Sequence, residues 1–153
     1  MIVHADTWWE KPFGGSHVAI HFSNPGKDEF GDEYGEWLYD PSGSYAIGNR
    51  NHPTEGTFSG DEANLNNYIE DVENRGSGEH CKIYEFDTTS EQENKMVRRT
   101  LELGDGWGFS CADFASDVLK EIGAYHVLTP GSLEVQLPKL QKKINGMESS
   151  VNE

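Results

Sequence analysis

Cys111 is the residue of this chain best placed for nucleophilic chemistry. It follows Ser110, a good N-cap, and Asp113 stands three residues after that serine, a capping-box spacing with Asp in place of Glu or Gln. Cys111, Ala115, Val118, Leu119 and Ile122 recur with the period of one buried helical face. Gly123 is placed to end the helix. The spacing predicts a helix over 111–122 with Cys111 in its first turn. Unpaired backbone N–H groups and the helix dipole favour negative charge there, which lowers a thiol pKa and makes a thiolate available for attack. The bland alternative is a small core hydrophobe, the common fate of a free cysteine. A helix start alone rarely activates a thiol, so a base is required.

His17 is the candidate base. Residues 15–23 read as a strand with His17, Ala19 and His21 on one face and Val18, Ile20 and Phe22 on the other. Residues 36–40 read as the next strand, ending at Asp40. A carboxylate on the far ring nitrogen fixes the imidazole tautomer and stabilises the imidazolium, so Asp40 is preferred over His21 as the orienting residue. His17 and His21 lie roughly 13 Å apart along a strand, too far to share a metal. There is no HExxH helix, so neither a metal nor a cofactor is expected. Trp107 either lines a cleft beside the thiol or packs as an ordinary tryptophan. His4, His52, His80 and His126 read as surface residues. Residues 104–108 lack the Lys and Ser/Thr of a phosphate loop, and the acidic stretch 26–36 lacks EF-hand spacing and reads as a solvated loop.

The elements that must position these residues follow in order. Residues 1–14, with Trp8, Trp9, Pro12 and Phe13, read as an irregular lead-in. Strands 15–23 and 36–40 are expected to pair antiparallel. Residues 41–60 read as a long loop opened by the turn Pro41-Ser42-Gly43, with a short strand near Tyr45–Ile47. A helix is expected over 61–74 through Leu65, Tyr68, Ile69 and Val72, then a strand over 81–86. Thr89 and Gln92 have capping-box spacing before a helix whose apolar face is Met96, Val97 and Leu101. A last helix through Leu133, Val135, Leu137 and Leu140 is expected to be kinked or divided at Pro138. Residues 145–153 read as a frayed tail. Neither a repeat nor a linker interrupts the order, so residues 1–153 form one α+β domain with its core over about 14–140.

Composition narrows the partners. The formal net charge is −15, which repels nucleic acid phosphates and anionic lipid and excludes nucleic-acid binding. No apolar run has transmembrane length, so membrane insertion is not expected. The first residues lack the basic and apolar regions of a signal peptide, which predicts synthesis and folding in a cytoplasm. Export by a route without a cleaved signal stays open. Cys81 and Cys111 are the only cysteines, and a reducing compartment disfavours a bridge between them.

Gly15-Ser16-His17-Val18-Ala19-Ile20, Tyr39-Asp40-Pro41-Ser42-Gly43, Phe109-Ser110-Cys111-Ala112-Asp113-Phe114-Ala115 and Thr129-Pro130-Gly131-Ser132-Leu133 together resemble the circularly permuted members of the NlpC/P60 superfamily. In that group the histidine strand precedes the cysteine helix. Many relatives have Asn where this chain has Ser110. The resemblance implies a papain-like fold, an antiparallel sheet packed against the nucleophile-bearing helix. It further implies Cys111 as nucleophile, His17 as base and Asp40 as third member of an amide-cleaving site. The implied substrate is a peptidoglycan peptide or another amide. The implied setting is an antibacterial effector, delivered by a secretion machine such as a type VI system to a target-cell periplasm and neutralised by a cognate immunity protein. Two other readings stay open: a thiol acyltransferase or lipid- or isopeptide-directed hydrolase on the same fold, and a non-enzymatic acidic binding or immunity protein with a structural Cys111.

Overall fold

A computed structural model describes residues 1–6, 17–41, 56–74, 81–104, 111–128 and 130–146, with backbone alone at 4–6, 17, 71–74, 81, 111 and 130–131. Five strands form one antiparallel sheet: β1 (Ile2–Asp6), β2 (His17–Phe22), β3 (Trp37–Tyr39), β4 (Thr57–Ser59) and β5 (Cys81–Glu85), in the spatial order β4-β3-β2-β1-β5. The helices are α1 (Leu65–Asn74), α2 (Ser90–Leu103), α3 (Cys111–Leu119) and α4 (Pro130–Asn145).

Period-two alternation sorts side chains onto the two faces of the sheet. On one face Val3, Val18, Ile20, Phe22, Trp37 and Tyr39 join Met96 and Val97 of α2, Ala115, Val118 and Leu119 of α3, and Leu133, Leu137 and Leu140 of α4 in the main core. On the other face Ala19, Leu38 and Phe58 pack with Ala63, just before α1, and Tyr68 of α1. The architecture is α+β, and β2 is covered on both sides.

Several expectations hold. β2 and β3 pair antiparallel, with Ile20 opposite Tyr39 and Phe22 opposite Trp37. The Thr89–Gln92 capping box is formed in both directions: Gln92 N–H donates to Thr89 Oγ1 (3.1 Å) and Thr89 N–H to Gln92 Oε1 (2.9 Å). The α3 face is Ala115, Val118 and Leu119, continued by Ile122 in a 3-10 turn (Lys120–Ile122) that Gly123 ends at φ 101°.

Others are corrected. Residues 2–6 are not lead-in but β1, hydrogen-bonded between β2 and β5. The run is short, and its neighbouring tryptophans and proline mask the strand pattern. The segment 61–74 is divided: Gly60–Ala63 is a 3-10 turn and the α-helix starts at Leu65. On α2 the buried face is Glu93, Met96, Val97 and Thr100, and Leu101 is 46% exposed, because position 101 turns past the sheet. On α4 Val135 is exposed, and Pro138 does not divide the helix. The bond lost for want of its N–H is offset by burial of Leu133, Leu137 and Leu140. The expected strand near Tyr45–Ile47 lies outside the described residues; β4 forms near the end of that segment.

Candidate functional site

The direction of each element decides which chain ends meet. Asn24, just past β2, donates its N–H to Glu93 Oε1 in the first turn of α2 (3.3 Å). Trp37 Nε1 donates to Thr100 Oγ1 (3.0 Å), and the Tyr39 hydroxyl to the Gly104 carbonyl (2.7 Å). Helix α2 therefore starts beside the end of β2 and finishes beside Tyr39, which is the end of the sheet where β2 begins. Arg99 pairs with Asp117 (Nε–Oδ1 2.7 Å) and Lys95 with Glu121 (3.5 Å). Ascending positions on α2 meet descending positions on α3, so the two helices are antiparallel. The first turn of α3 thus lies at the sheet end where β2 starts and β3 finishes. Three elements converge there: α3 at Cys111, β2 at His17 and β3 just before Asp40.

Asp40 is fully buried, and its N–H donates to the Gly56 carbonyl (2.7 Å). One step past the Ile20–Tyr39 pair, position 40 lies opposite position 19, which assigns it to the face of Ala19 and His21. Alternation assigns position 17 to that same face. Helix α3 covers the opposite face through Val18, Ile20 and Phe22. Position 17 and helix α3 therefore fall on opposite faces of the sheet at the same end of it. The side chains of His17 and Cys111, and Trp107 as a whole, lie outside the described residues.

The register adds a residue that the sequence alone did not bring forward. Asp6 stands opposite His17 on one side and opposite Cys81 on the other. Directly opposed residues have Cβ atoms about 5 Å apart, nearer than the diagonal from 17 to 40. The signal is the pairing of β1, which reading residues 1–14 as irregular concealed.

His21, the rival orienting residue, shares the face of position 17 but stands four residues further along β2. It pairs with Ile2 and Leu38 and is buried, and its Nε2 lies 3.7 Å from Glu36 Oε2, beyond hydrogen-bond length. Among the described residues neither ring nitrogen has a hydrogen-bond partner. Burial pushes the His21 pKa down, and the nearby Glu36 carboxylate opposes that shift.

The second turn of α3 is held independently. Ser116 Oγ donates to the Asp113 carbonyl and accepts from Val127 N–H (3.0 Å). The Asp113 carboxylate meets Nε2 of His126, which lies at the surface as expected. Arg99 holds the Asp117 carboxyl below the usual aspartate range through its hydrogen bonds, against partial burial.

Among the described residues there is no group of three or more His, Cys, Asp or Glu able to hold a metal ion, and no helix is long and apolar enough to cross a membrane. Comparison with family models, with curated proteins and with solved structures finds no match for this chain.

Proposed function

We propose that the protein is a papain-like cysteine hydrolase of the permuted NlpC/P60 kind, cleaving an amide bond in peptidoglycan peptides. The observation that carries the reading is directional: the start of α3, the start of β2 and the end of β3 with buried Asp40 share one end of the sheet. In the proposed cycle His17 takes the Cys111 thiol proton, and the thiolate adds to the amide carbonyl carbon. The Cys111 backbone N–H, at the head of α3, faces the developing oxyanion. The C–N bond then breaks as the His17 imidazolium gives its proton to the leaving amine. Water, deprotonated by His17, hydrolyses the thioester to a carboxylic acid and restores the thiol. Asp40 orients the imidazole, and Trp107 lines the cleft. The formal charge of −15 suits a basic partner such as a cognate immunity protein, in keeping with an antibacterial effector acting in a target periplasm.

The test is incubation with purified peptidoglycan and mass analysis of the fragments. The native chain releases peptide fragments, and Cys111→Ala releases none. Alkylation labels Cys111 ahead of Cys81 in a pH-dependent manner, and His17→Ala abolishes that preference. Asp40→Asn lowers the rate on the order of a hundredfold or more, while Asp6→Asn leaves the pH profile in place; the reverse result transfers the orienting role to Asp6. Identical fragments from native and Cys111→Ala chains, with equal slow labelling of both thiols, would overturn the reading in favour of a binding protein.

A further inference from the structure

The loop between β2 and β3 is acidic, internally hydrogen-bonded and carries an exposed aromatic ring. Its sequence, residues 26–36, holds Asp28, Glu29, Asp32, Glu33 and Glu36 against the single cation Lys27. Repulsion among five carboxylates would favour an open, mobile chain, yet the backbone is fastened at each level. Asp28 N–H donates to the Asp32 carbonyl (2.8 Å), and Asp28 Oδ1 accepts from the N–H groups of both Phe30 and Asp32 (2.9 Å each). Tyr34 N–H donates to the Gly26 carbonyl (2.9 Å), and the backbones of Lys27 and Glu33 form an isolated antiparallel β-bridge. The side-chain amide of Asn94, on α2, donates to the carbonyls of Pro25 and Lys27 (2.7 Å each) and ties the loop to the helix.

This fastening holds Phe30 out at 81% exposure. Leu101, which turns away from the core on α2, is exposed on the same depression. Between them is a hollow of about 360 Å³ lined by Asp28, Glu29, Phe30, Tyr34, Arg98, Leu101 and Glu102. Its wall is firm: Tyr34 meets Trp37 edge-on (centroids 5.6 Å, 73°), and Trp37 is bonded to Thr100. An exposed apolar pair carried on hydrogen-bonded backbone beside a hollow is the form of a binding anchor.

We infer that this hollow docks a segment of a partner protein that presents an apolar side chain flanked by lysine or arginine. The charge decides the occupant. Three carboxylates line the hollow against one guanidinium, and the adjoining loop adds Asp32, Glu33 and Glu36. A second copy of this chain, at −15, is repelled, as are nucleic acid and anionic lipid. The apolar anchor supplies affinity between Phe30 and Leu101, and the surrounding carboxylates supply encounter rate and register. The hollow is lined by none of Cys111, His17 and Asp40, so docking does not depend on the hydrolase reading.

The test uses the full chain and an array of fluorescent lysine- and arginine-rich peptides, each with one apolar anchor. Two control sets replace the anchor by serine or the cations by glutamate. The expected result is saturable binding of anchored cationic peptides, with amide shifts confined to residues 28–34 and 98–102. Affinity falls by about tenfold or more in Phe30→Ser and in Leu101→Ser, and falls steeply with added salt. Both positions are exposed, so the variants keep the melting temperature of the native chain. Overturning results are binding unchanged by either substitution, equal binding of the serine controls, shifts centred elsewhere, or no peptide bound below about 1 mM.

Discussion

His21 is a titratable ring enclosed by the sheet, and its surroundings set how stability responds to acid. Burial disfavours the imidazolium; Glu36 and, less strongly, Glu93 favour it, and the amino group of Met1 disfavours it. Burial is the largest influence, so the folded state holds its proton less tightly than an unfolded histidine with a pKa near 6.5. Below that value the unfolded chain binds more protons than the folded one, and stability falls as pH drops toward the lowered folded value. Melting temperature measured from pH 7.5 to 5 should decline over this window. His21→Asn should flatten that decline while lowering the plateau, since it leaves an amide in an apolar setting. An unchanged slope in the variant would assign the acid sensitivity to other groups.

Among the elements, α2 is the one that fixes which end of the sheet the start of α3 meets. Its start is fixed by the Thr89–Gln92 capping box and by Glu93, which accepts from Asn24 and from Thr88 Oγ1 (3.1 Å). Its end is fixed by Tyr39 on the Gly104 carbonyl. Because α3 docks antiparallel along it through Arg99–Asp117 and Lys95–Glu121, a frayed start of α2 loosens the far end of α3. Thr89→Ala should cost about 1 kcal/mol by loss of the cap, read from denaturant midpoints. Thr89→Ser should restore most of it, because the hydroxyl is what caps. Equal losses in both variants would show that the threonine methyl, not the cap, stabilises the helix start.

In the molecule as a whole, the sheet is the scaffold and β1 is an interior strand of it. Amide exchange should be slowest in β1 and β2, which are paired on both sides, and faster in the edge strands β4 and β5. Fast exchange in residues 2–6 would contradict that order. The local chemistry of the chain determined much in advance: the Thr89–Gln92 cap, the α3 stripe ended by Gly123, and the alternation of Val18, Ile20 and Phe22 are near-neighbour patterns that need no knowledge of the rest. Near-neighbour patterns cannot say which strands pair at long range or which side of a helix meets the sheet. Residues 2–6 became a strand because β2 and β5 satisfy their backbone groups. Leu101 and Val135 became exposed because the packed angle of each helix overrode its apolar count. Asp6 came opposite His17 only through register. The candidate residue types were legible in the sequence; the end of the sheet to which α3, β2 and β3 bring positions 111, 17 and 40 is read from ion pairs and hydrogen bonds between distant positions.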